Sequence, residues 1–76
     1  MTTIEKVIFC KNNGITIASI ANRAEVVPST LTQWIKGEKG ITSKNEARVE
    51  KAMRELVQSL YENIGGVEND RNIQNY

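Results

Sequence analysis

The sequence predicts an all-α fold, a small four- to five-helix bundle, on three observations. Apolar residues recur at intervals of three and four with no strand-like alternation, glycines and a single proline punctuate the chain at helix-length spacing, and two Ser/Thr-x-x-Glu sequences mark helix starts. Seventy-six residues, 39% hydrophobic and 25% charged, suffice for one domain. That domain is expected over residues 1–64, with a flexible polar tail at 65–76.

Thr2 and Glu5 have capping-box spacing, Ile4, Val7 and Ile8 follow at helical intervals, and Gly14 is suited to end the segment, so a first helix is expected over 3–12. Thr16 is the cap of a second helix in which Ile17, Ile20, Ala21 and Ala24 share a face. The residue before a proline avoids the α region, so Val26-Val27 is extended and Pro28 opens a third helix that runs to about Lys36 and closes at Gly37. Ser43-Lys44-Asn45-Glu46 is a second capping box. The segment 44–64, free of Gly and Pro, is one helix or two. Its stripe Val49, Met53, Leu56, Leu60 and Ile64 reads either as core-facing throughout or as one whose far end projects beyond the core and offers Val57, Leu60, Tyr61 and Ile64 as an interface with a second copy.

Net charge is only +1, yet it is segregated. Six basic residues in 1–44 outnumber three acidic ones, whereas six acidic residues in 45–76 outnumber four basic ones, so the front half faces an anion more readily. There is no histidine, and the lone Cys10 cannot make an intrachain disulfide or a thiolate metal cluster. Catalysis, a metal site and a cofactor are therefore not expected, and Cys10 reads as a packing residue. The carboxylates Glu46, Glu50 and Glu55, interleaved with Arg48, Lys51 and Arg54, read as a solvated ion-paired helix face. The longest apolar run, Val7-Ile8-Phe9-Cys10, is far short of the roughly 20 residues that span a bilayer, and the N-terminus has no signal-peptide pattern. A cytoplasmic chain without membrane contact or small-molecule ligand is expected.

Two short helices joined by a tight turn over about 16–36 make a helix-turn-helix, whose second helix can enter a DNA major groove. Small Ala21 allows close approach of the pair, and Ile20, Val26, Leu31 and Trp34 supply the apolar contact between them. The ungapped segment from Thr16 to Gly37, with Ala21 in its first helix, Val26 in the turn and Ser29-Thr30-Leu31 leading to Trp34, resembles the Cro/C1 (XRE-type) helix-turn-helix family of phage and plasmid repressors. The resemblance implies a lambda-repressor-like DNA-binding domain acting as a transcriptional regulator. Its implied partners are double-stranded DNA with a palindromic operator and a second copy in a homodimer.

By the same resemblance, Ser29, Thr30, Thr32 and Gln33 read bases, since Gln pairs with adenine edges and Ser or Thr with any base. Thr16, Arg23, Lys36, Lys39 and Lys44 are the implied phosphate contacts. Three departures stand out. Glu25 occupies a position where the family usually has glycine, so either the turn is built differently or Glu25 is left-handed; Ile17 and Pro28 replace residues that commonly reach the DNA. The competing reading is a protein-interaction module, inhibitor-like or antitoxin-like, on the same scaffold.

Overall fold

A computed structural model describes residues 1–65. These residues form four helices and, among them, no strand: α1 (Thr3–Asn12), α2 (Ile17–Ala24), α3 (Pro28–Ile35) and α4 (Ser43–Asn63). The segment 44–64 is thus a single helix through Asn63, with Ile64 at its end. Of the expected tail, 66–76 lies outside the described residues.

Helix starts follow the predicted chemistry with one correction. Thr2 Oγ1 accepts from the Glu5 N–H at 3.1 Å and Glu5 Oε1 accepts from the Thr2 N–H at 2.7 Å, closing the first capping box. Thr16 caps α2 by accepting the Ser19 N–H. The predicted box at Ser43 does not form: Thr42, one residue earlier, accepts the Asn45 N–H at 3.1 Å, and Ser43 is already helical. Glu46 is consequently released from capping and turns to α1.

Three helix ends are built alike. In each, a left-handed residue wraps the chain so that the next N–H reaches a carbonyl five residues back: Ile15 to Cys10 after Gly14, Val26 to Ala21 after Glu25, and Glu38 to Gln33 after Gly37, each at 2.9 Å. Glycine reaches that conformation freely at Gly14 (φ +94°) and Gly37 (φ +77°). Glu25, at φ 59° and ψ 40°, does so with a Cβ. The turn therefore keeps the glycine-type geometry with a strained residue in it. Glu25→Gly is expected to raise the unfolding free energy by about 0.5–1 kcal/mol, strain relief exceeding the added freedom of the unfolded chain. A melting temperature higher by about 4 °C would register it; an unchanged or lower one would show that Glu25 is not strained.

The core is one cluster in which Val7, Ile20, Leu31 and Val49, one from each helix, are fully buried. Cys10, Ala21, Ala24, Val26, Ala52 and Met53 complete it, and Ile17, Trp34 and Leu56 pack on its margin. Burial raises the Cys10 thiol pKa, which keeps it protonated and unreactive. Helix α2 packs on both α3 and α4, and α1 packs on α4.

The α1–α4 contact corrects the reading of Glu46 and Glu50 as a solvated face. Both are half-buried, and the buried Thr3 hydroxyl lies 2.7 Å from an oxygen of each, sharing its single proton between them. Lys6 Nζ donates to Glu50 at 3.1 Å. The Thr3 hydrogen bond, aided by Lys6 and Arg54 and opposed by burial, holds the Glu50 carboxyl below the ordinary range. A depressed carboxylate stabilises the fold above its unfolded pKa of about 4.3, and that stability is lost as pH falls through the folded value. Thr3→Val is expected to cost about 1 kcal/mol at pH 7 and to lose less than the native chain on acidification to about pH 3. Parallel thermal melts at the two pH values check this; equal acid losses would remove Thr3 as the cause.

Candidate nucleic-acid interface

Helix α3 leaves α2 at a turn fixed by the Glu25 wrap, and it buries only Leu31, with Trp34 and Ile35 half-buried beside it. Pro28 at its first turn has no N–H to satisfy, and Val27, the N-cap, offers no side-chain cap. The rest of α3 is left free. Ser29 and Gln33 are exposed, Thr30 and Thr32 half-buried, and none of the four side chains hydrogen-bonds to another group among the described residues. An unengaged row of hydroxyls and one amide on a short helix offers donors and acceptors to an external polar surface.

Lys36 caps the end of α3, Lys39 lies in the following loop and Lys44 in the first turn of α4; all three are exposed and form no ion pair among the described residues. Glu38 is the one acidic side chain in this stretch. The site therefore joins a hydrogen-bonding helix face to a cationic margin.

Two of the predicted phosphate contacts are otherwise engaged. Thr16 Oγ1 accepts the Ser19 N–H and donates to Ser19 Oγ at 3.0 Å, so its hydroxyl serves the α2 cap. Arg23 pairs with Glu55 of α4 at 3.4 Å, both side chains well exposed, and lines a polar hollow of about 290 Å³ with Glu25, Arg48 and Lys51. The pull toward α4 comes from a carboxylate 32 residues away, which no local pattern reveals. An exposed pair of this kind contributes little to stability and opens readily.

Four exposed apolar residues were missed by sequence reasoning, Met1, Ile8, Phe9 and Val27. Val27 is 63% exposed at the start of α3, and Phe9 is 57% exposed on α1. The signal for Val27 was its alternation with buried Val26 in the extended stretch that Pro28 imposes; for Phe9 it was the helical offset from buried Val7 and Cys10.

No family model, no curated protein and no solved structure matches this chain. Among the described residues no helix is long and apolar enough to cross a membrane, and no three His, Cys, Asp or Glu side chains are grouped to hold a metal ion.

Proposed function

We propose that the chain is a sequence-specific double-stranded DNA-binding regulator, a small repressor of the Cro/C1 type from a phage, plasmid or other mobile element. In this reading α2 and α3 are a helix-turn-helix in a lambda-repressor-like bundle. The observation that carries it is the unengaged polar face of α3 beside unpaired Lys36, Lys39 and Lys44. Gln33 supplies a bidentate partner for adenine, Ser29 and Thr32 hydrogen-bond to neighbouring base edges, and the lysines hold the backbone as point charges. No arginine lies on α3, so the commonest guanine contact is missing and an A·T-leaning site follows. One short helix reads only a few base pairs, so two copies on half-sites about one helical turn apart supply useful specificity.

The test is selection from a random duplex library with the full chain, then anisotropy titrations of the selected and a scrambled duplex across a salt series. A preferred sequence is expected, with affinity falling steeply as salt rises. Gln33→Ala should cost about 1–3 kcal/mol on the selected duplex and little on the scrambled one. Failure to enrich any duplex at low salt would overturn the reading and leave a protein-binding scaffold.

A further inference from the structure

Eight large hydrophobic side chains stand exposed among the described residues, and seven of them belong to α1, its approach, and the end of α4; Val27 alone lies elsewhere. They are not scattered. Met1, Phe9 and Val57 line a groove of about 380 Å³ floored by Cys10 and Met53 and edged by Lys6, Glu50 and Arg54. Leu60, Tyr61 and Ile64 continue the same stripe of α4 for about 10 Å beyond Val57, because Met53, Val57, Leu60 and Ile64 step by four, three and four. Upstream, the face carrying Glu46, Glu50 and Met53 is covered by α1. Downstream nothing in the described chain covers it.

We infer that this face is an isologous interface with a second copy of the chain, in which the Leu60–Ile64 ridge of each copy seats in the Phe9–Met53–Val57 groove of the other. Area points to that occupant. Phe and Tyr each bring 150–250 Å² of surface, so six half-exposed side chains present about 600 Å² per copy. Two copies bury about 1,200 Å², where specific interfaces begin, and a patch of about 600 Å² stands at the top of the range that stable monomers leave in water. Shape points the same way. Groove and ridge are neighbours along one helix, so a two-fold axis crossing α4 between Val57 and Leu60 lays each ridge on the other groove with the helices antiparallel. Apolar cavities of about 150 Å³ hold a benzene ring, so the groove accepts two side chains of that size. The inference deepens the two-copy requirement above but stands on the apolar face alone, and its test contains no DNA.

Sedimentation equilibrium of the full chain from about 1 to 200 μM is expected to show a monomer–dimer equilibrium. Leu60→Glu and Phe9→Glu are each expected to give monomers of unchanged helicity by circular dichroism, since both side chains are about half exposed. Equimolar Phe9→Cys and Ile64→Cys chains, oxidised together, are expected to give a mixed disulfide faster than either gives its own. A monomeric native chain at 200 μM overturns the inference. So does a Phe9→Glu chain that still dimerises, or an Ile64→Cys chain that links mainly to itself, because either places the α4 ends together with the groove empty. These outcomes leave DNA binding to be judged by its own titrations.

Discussion

Leu31→Ala is expected to lower the unfolding free energy by about 3 kcal/mol and the melting temperature by about 12–24 °C. Leu31 is fully buried and is the only buried residue of α3, so the truncation opens a cavity where the helix meets the core. In a chain of 76 residues, total stability is about 4–11 kcal/mol, of which this is a large fraction. The flanking Trp34 and Ile35 are half-buried and cannot collapse into the space without withdrawing from the margins they cover. Chemical denaturation by urea, with Ser29→Ala on the exposed face as the control, measures the difference. A loss under 1 kcal/mol would mean that α3 does not hang on Leu31, and the placement of its polar face would fall with it.

Replacing Lys36, Lys39 and Lys44 together by Gln is expected to weaken binding to every duplex, selected or scrambled, by on the order of two to three powers of ten per copy near 0.1 M salt. Each phosphate neutralised on B-form DNA adds about 0.9 to the slope of log affinity against log salt, so three lost contacts flatten that slope by about 2.7. Uniformity distinguishes these lysines from Gln33, whose loss acts on one sequence. All three are exposed and unpaired among the described residues, so melting temperature should stay within about 4 °C of the native value. A salt slope that does not move would show that the phosphate contacts lie elsewhere, with Arg23, once freed from Glu55, the next to replace.

Helix positions were legible because the signals are local. Thr2, Thr16, Pro28, Gly14 and Gly37 each fix a boundary within a few residues of themselves, and the buried sets around Ile20, Leu31 and Val49 follow from periodicity alone. The sequence left Glu25 open between two turn geometries; only the hydrogen bond from Val26 to Ala21 decides that it is left-handed. At the end of the connecting loop, Thr42 and Ser43 are both competent caps one residue apart, and only the hydrogen bond from the Asn45 N–H to Thr42 decides between them. The fate of Thr3, Arg23, Glu46 and Glu50 was not legible, because each is decided by a partner on another helix. For the site, type and exposure of Ser29 and Gln33 were readable, whereas the diversion of Thr16 and Arg23 was not.

Helix α2 touches both α3 and α4, while α1 has its main contact with α4. Amide protons therefore exchange with solvent in an order set by this layout. Those of α2 and the middle of α4 require opening of the whole core, and those of α1 require Val7 and Cys10 to leave that core as the Thr3 and Lys6 bonds let go. Helix α3 can detach by withdrawing Leu31 while α2 stays seated. Whatever grips the outer face of α3 thus slows exchange in α3 first, and the helix behaves as a separately releasable part of an otherwise cooperative unit.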